Sequence, residues 1–215
     1  MASIVGIHFA AAAYLAQLGL FSFVDAAFWP RTPYARALLG GRLARAVNDG
    51  DLWRFWTSAV LHGDFWHLVS NAIGLWLLGS VYEPMVGARR LLAVFWAGAI
   101  GGGLASYFWG NHRSDGASGG AFALLGALVV LGVRRDLVLN EEVAWLLGRP
   151  LRFLLLINLI LSAVLPFIDG AAHVGGLLVG VLAGLFPLTS SRALRWVEIA
   201  WLFLAIVMLA FAAMR

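Results

Sequence analysis

Four side chains in this sequence are of types that do chemistry together: Ser118, His173, His67 and Asn71. A serine hydroxyl becomes a nucleophile when a base takes its proton, and an imidazole suits that task. Attack on a carbonyl then builds negative charge on its oxygen, which needs hydrogen-bond donors aimed at it. Ser118 lies in "DGASGGAFALLGA" (115–127), where an apolar helix begins. Its backbone N–H is therefore one of the free donors of a helix N-terminus, with the helix dipole behind it. His67 and Asn71 stand at i and i+4, on one helix face. The pattern is that of acyl transfer, with Ser118 as nucleophile and His173 as base. Ser118 N–H, His67 and Asn71 are the oxyanion donors. Asp169, four residues before His173 in a short loop, is expected to face water, so the chemistry is that of a dyad.

Each residue alone has a plainer reading. A lone serine in a helix bonds its own i−4 carbonyl. A lone His or Asn in an apolar helix can bond a neighbouring helix. The elements that carry them change this. The chain is 62% hydrophobic and only 12% charged over 215 residues, more apolar than a soluble domain, so the excess apolar surface faces lipid. Apolar stretches fall at 3–24, 65–82, 91–109, 116–133, 152–168, 171–188 and 196–214, each close to the length that crosses a bilayer. The six prolines (Pro30, Pro33, Pro84, Pro150, Pro166, Pro187) punctuate their ends. The sequence thus predicts an all-α polytopic membrane protein, one domain over 1–215. Its six-helix core covers 3–188, and a further C-terminal span covers 196–214.

The second, fourth and sixth stretches run in the same direction. Measured from their inner ends at about 1.5 Å per residue, Ser118, His173, His67 and Asn71 rise about 22, 21, 24 and 18 Å. All four lie near one level, roughly 8–10 Å below the outer face of a ~30 Å hydrocarbon core. Small residues mark close helix approach: His173, Gly176, Gly180 and Gly184 at near-fourfold spacing, and Gly116, Gly119, Ala123 and Gly126 on the serine helix.

The cationic residues are all arginine, and the net charge is +4. Such charges anchor membrane loops at headgroups, and nothing resembles a basic face for nucleic acid. The absence of cysteine excludes disulfides, thiol catalysis and thiolate metal sites. With the N-terminus inside, Arg89, Arg90, Arg134, Arg135, Arg149, Arg152, Arg192 and Arg195 fall in inner loops. Only Arg113 and Arg215 then fall in short outer segments. This predicts N-in, C-out, although the first loop, with Arg31, Arg36, Arg42, Arg45 and Arg54, offsets much of the bias. The N-terminus lacks a positive n-region, so it reads as a spanning helix rather than a signal peptide. Residues 25–64, with "LWRFWTSAVLH", read as an interfacial or re-entrant segment.

At these residues the chain resembles the rhomboid family of intramembrane serine proteases. "GASG" (116–119) is similar to its G-x-S-G, and "HVGGLLVG" (173–180) to its H-x-x-G-x-x-x-G. "HGDFWHLVSN" (62–71) is similar to its H-x-x-x-x-H-x-x-x-N. Trp53 and Arg54 resemble its first-loop "WR", and Glu83 with Gly87 its E-x-x-x-G. Gly116, Gly119, Gly176 and Gly180 are then motif glycines. The resemblance implies Ser118 and His173 as the dyad and His67 and Asn71 as oxyanion donors. Phe122 would stack on His173 where the family often has tyrosine, and 196–214 would make a "six plus one" helix arrangement. It implies substrates that are transmembrane proteins, a bilayer surrounding, no cofactor and no metal. It also implies a multi-pass protein of a bacterial plasma membrane with a cytoplasmic N-terminus. The loop "PFIDGAA" (166–172) would cap a water-filled cavity, and residues 152–165 would move to admit substrate. Two rivals are a catalytically silent relative that binds membrane proteins, and a transporter with His67, Asn71 and His173 along a polar path.

Overall fold

The computed structural model describes residues 2–133, 145 and 147–185. Six longer helices carry the architecture: α1 (Ala2–Gln17), α6 (Phe65–Val86), α7 (Ala88–Phe108), α8 (Ser118–Val133), α9 (Arg149–Val164) and α10 (Gly170–Leu185). Four short helices lie between α1 and α6: α2 (Phe23–Phe28), α3 (Pro33–Leu38), α4 (Ala44–Asn48) and α5 (Arg54–Thr57). A 3-10 turn follows at Ser58–Val60. The expected span at 196–214 lies outside the described residues, as do Arg134, Arg135, Arg192, Arg195 and Arg215. By length and composition, α7 is the described helix long and apolar enough to cross a membrane, while the shorter α1, α8 and α10 are also apolar.

Local chemistry explains where these helices begin and end. The first apolar stretch (3–24) is cut short because Gly19 takes φ 69°, and Leu20 N–H turns back to Leu15 O at 3.2 Å. Asp64 caps α6 by accepting from His67 N–H at 2.8 Å. That helix continues past its expected end at 82 to Val86, through Pro84 in its last turns. The left-handed Gly87 (φ 84°) then closes it. Helix α8 starts at Ser118 rather than 116 because Gly116 has φ 118°, a conformation outside the helix. Pro150 opens α9 in its first turn. Leu165, before Pro166, is pushed to an extended conformation (ψ 114°) and ends it before 168.

Helices α7, α8 and α10 form the centre. A Cβ on Gly176 would strike Gly119 O, and one on Gly180 would strike Ala123 O. One on Gly102 would meet Ala172 O at 2.6 Å, and one on Gly126 would meet Leu177 O at 2.6 Å. Backbone therefore lies against backbone across all three helices, which is what small-residue stripes allow in an apolar medium. Most of α8 is buried, including Phe122, Ala123, Leu124, Ala127 and Leu128. In α9, by contrast, Leu151 is the buried residue, and Phe153, Leu156 and Val164 point outward.

The loop between α1 and α6 is a structured layer. Two of its arginines turn inward, contrary to a headgroup role. Arg31 is 4% exposed and donates to His8 O (2.8 Å), Ala26 O (3.0 Å) and His62 O (3.0 Å). Arg42 is fully buried and donates to Ser106 Oγ (2.7 Å) and Asn111 O (3.3 Å). Five donors in a rigid planar fork let guanidinium reach several separated carbonyls at once, where an ammonium offers three donors from a single point. Arg54 spans Asp51 (3.0 Å), Ala37 O (2.8 Å) and Gly41 O (3.0 Å), and lies 4.5 Å over its neighbour Trp53. The described residues are mostly helical, with one short ladder besides. β1 (Arg42–Leu43) pairs antiparallel with β2 (Arg113–Ser114), a short ladder joining this layer to the segment that leads into α8.

Candidate active site

Ser118 is the first residue of α8, so its N–H has no carbonyl one turn behind it. The segment before it is pinned on several sides. Gly116 N–H donates to Ser58 O at 2.8 Å. Asp115 accepts from Arg42 N–H at 3.2 Å and pairs with Arg36 at 3.5 Å. Irregular backbone at membrane depth is tolerated where protein buries it, and Ala117 is fully buried. Burial pushes the Asp115 carboxyl up to about 6, against the pull of Arg36 and Arg42.

His173 sits in the first turns of α10, 9% exposed. Its ring stacks on Phe122 at 4.1 Å between centroids and 16° between planes. Phe122 is one turn beyond Ser118 on the same helix, and Gly176, one turn beyond His173, lies against Gly119. The two helices thus meet at the level of the serine and the imidazole. Among the described residues the hydrogen-bond partner of the ring is Ser162 of α9, whose Oγ lies 2.6 Å from Nδ1, and no hydrogen bond joins the ring to Ser118. Catalytic hydrogen bonds are commonly long before substrate binds and tighten afterwards.

His67 and Asn71 converge on the approach to the serine. The Cβ position of Gly116 lies 2.7 Å from His67 Cε1 and Nε2 and 3.8 Å from Asn71 Nδ2. Only a residue without a side chain fits between them and Ser118. Asn71 Nδ2 donates one proton to His67 O at 2.9 Å, which leaves its second for another acceptor. His62 packs edge-on to His67 at 5.2 Å, and burial pushes it down to about 3, so it is neutral.

Asp169 is only partly exposed, and its carboxylate is engaged. It accepts from Asn111 Nδ2 (2.8 Å), from Ser106 Oγ, and from Ala172 N–H (3.1 Å), which caps α10. With Arg42 on Ser106, this forms a polar chain linking the loop layer, the end of α7 and the start of the histidine helix. A loop position in sequence gives no information on which neighbours its side chain meets. Ser162, Arg42 and Asp115 were missed for the same reason: none sits in a spacing pattern. Trp53 and Arg54 lie in the loop layer, apart from the dyad. Glu83 lines a cavity of about 490 Å³ with Ser3, Trp76, Phe95 and Trp96, and neither Ser118 nor His173 is part of that lining.

This is a helical membrane protein with serine, imidazole and amide groups assembled at one helix junction. The chain belongs to the rhomboid family: the Rhomboid domain matches residues 49–190. It is similar to the rhomboid protease GluP of Bacillus subtilis (strain 168), 33% identical over 145 residues, 67% of this chain and 28% of that protein. It is similar to RHOMBOID-like protein 5 of Arabidopsis thaliana, 35% identical over 160 residues, 72% of this chain and 50% of that protein. It also resembles the rhomboid protease AarA of Providencia stuartii, 28% identical over 181 residues, 74% of this chain and 64% of that protein. The chain therefore spans half or less of the length of the first two. The family is one of intramembrane proteolysis, and its members are membrane proteins.

Proposed function

We propose that this chain is an intramembrane serine endopeptidase that cleaves peptide bonds in or near transmembrane segments of membrane proteins. The observation that carries the reading is the stacking of His173 on Phe122, one turn from Ser118 across a glycine-packed junction. Ser118 Oγ attacks the scissile carbonyl as His173 Nε2 takes its proton. The oxyanion accepts from Ser118 N–H and from His67 and Asn71. His173 then protonates the leaving amine, the acyl–enzyme forms, and water enters by the same base to release the acid. Phe122 supports the stack without a hydroxyl. The protein lies in a bacterial plasma membrane with its N-terminus cytoplasmic, the arginine-rich inner loops supporting that orientation.

The test is labelling by a serine-directed fluorophosphonate, together with cleavage of a transmembrane substrate in proteoliposomes. Wild type labels at Ser118 and cleaves. Ser118→Ala and His173→Ala lose both, by at least about 1,000-fold in rate. A wild-type chain that neither labels nor cleaves is a silent relative or a transporter.

A further inference from the structure

The imidazole of His173 has a second nitrogen, and the protease chemistry above does not say what holds it. Nδ1 lies 2.6 Å from Ser162 Oγ. The same Oγ lies 2.6 Å from Asn158 O, one turn back in α9. A hydroxyl has one proton. The carbonyl oxygen of Asn158 can only accept, so that proton points to it. Toward His173 the Oγ then presents a lone pair, and the hydrogen between them belongs to Nδ1. An imidazole with its proton on Nδ1 keeps Nε2 as an open lone pair. That is the tautomer a base needs to take a serine proton.

The carboxylate nearest in sequence does not compete for this role. Asp169 is occupied by Asn111, Ser106 and Ala172 N–H. Phe122 covers one face of the ring, which restrains its tilt, but a stacked phenyl cannot choose between tautomers. Among the described residues, Ser162 is the group that can.

We propose that Ser162 is a positioning residue for His173, locking the Nδ1–H tautomer from the neighbouring helix through its back-bonded hydroxyl. The proposal rests on the protease reading for its consequence, and on the hydrogen-bond geometry alone for its physical content. An uncharged partner orients the ring without adding negative charge at an apolar junction, where an unpaired carboxylate is costly. When His173 becomes imidazolium, the Nδ1–H···Oγ bond persists and strengthens because its donor is now charged.

Two measurements on the full chain in lipid nanodiscs test this. The first is nitrogen NMR of ring-labelled histidine, with the His173 signals identified by their loss in His173→Gln. The neutral wild-type ring should show a protonated Nδ1 and a bare Nε2. Ser162→Ala should shift it to a mixture rich in Nε2–H, and Ser162→Thr should restore the Nδ1–H form. The second is cleavage kinetics. Ser162→Ala should lower kcat about tenfold with KM little changed, as expected when a base is presented in the wrong tautomer part of the time. Ser162→Thr should stay within about threefold of wild type on the same reasoning. A wild-type ring protonated on Nε2, an unchanged ring in Ser162→Ala, or a Thr variant as slow as Ala overturns the proposal. Should Ser162→Ala fail to fold, Ser162→Cys, a poor acceptor, takes its place. If wild type neither labels nor cleaves, the protease reading fails, and the tautomer measurement still decides the role of Ser162.

Discussion

The three-helix centre and the loop layer above it hold the same site by opposite means. In α7, α8 and α10, contact is made by what is missing: Gly102, Gly126, Gly176 and Gly180 leave room for a neighbour's backbone. In the layer between α1 and α6, contact is made by reach. Arg31 and Arg54 extend guanidinium forks to Ala26 O and Ala37 O near the ends of α2 and α3, and Arg42 reaches Asn111 O beyond α7. The difference follows from the backbone. A long helix satisfies its own polar groups and can pack dry. A run of four- to six-residue helices leaves ends everywhere, and buried ends need donors. One region is therefore sensitive to side-chain size, and the other to charge and pH.

The largest effect should come from filling the centre. Gly176→Val forces carbons into Gly119 O and should cost at least about 3 kcal/mol, since backbone cannot yield as a flexible side chain does. Thermal denaturation in detergent measures it, and a wild-type melting curve would break the distinction between the two regions. Next in size is Arg42→Ala, which strips Ser106 and Asn111 O of a fully buried donor. It should cost about 2–4 kcal/mol, and Arg42→Lys should not rescue it, because a point charge lacks the fork.

A smaller effect sharpens the contrast in pH. Folding raises the Asp115 pKa from 3.8 to about 6, so the fold prefers the protonated acid. That contribution is full below about pH 4 and is lost as pH rises through 6. Folding lowers the His62 pKa from 6.5 to about 3, so the fold prefers the neutral ring. That contribution is full above 6.5 and is lost as pH falls toward 3. Between about 4 and 6 the two slopes oppose. Asp115→Asn keeps an acceptor for Arg42 N–H and removes the first slope. Stability of the variant should then rise with pH across that window by up to about 1 kcal/mol per unit, read from melting temperatures at each pH. A flat profile in the variant counts against the buried, neutral His62.

The smallest effect is a control within the same residue type. Gly74 lies in α6 with nothing within 4 Å of its Cβ position. Gly74→Ala should be neutral or stabilising by about 0.5–1 kcal/mol, because alanine gives up less freedom on entering a helix. A Gly74→Ala penalty as large as that of Gly176→Val would mean that glycine loss, not close approach, explains the centre.

The site was legible where its residues follow helical spacing. His67 with Asn71, and His173 with Gly176 and Gly180, are pairs one or two turns apart, and that periodicity is a local property of the chain. The glycines announced close packing before any partner was known, since an apolar helix gives few other uses for them. Helix ends were less legible. Gly19, Gly116 and Pro166 moved boundaries by several residues, through backbone conformations that only neighbouring contacts select.

What the sequence determined by itself was a set of apolar helices and the spacing of His67 with Asn71 and of His173 with its glycines along them. The tertiary structure alone decided that Ser162 faces His173, that Asp169 caps α10, and that Arg31 and Arg42 point inward. Successive residues on a helix turn by about 100°, so spacing places side chains relative to one another within one helix. It says nothing about how that helix is rotated against the next, and contacts between helices depend on that rotation.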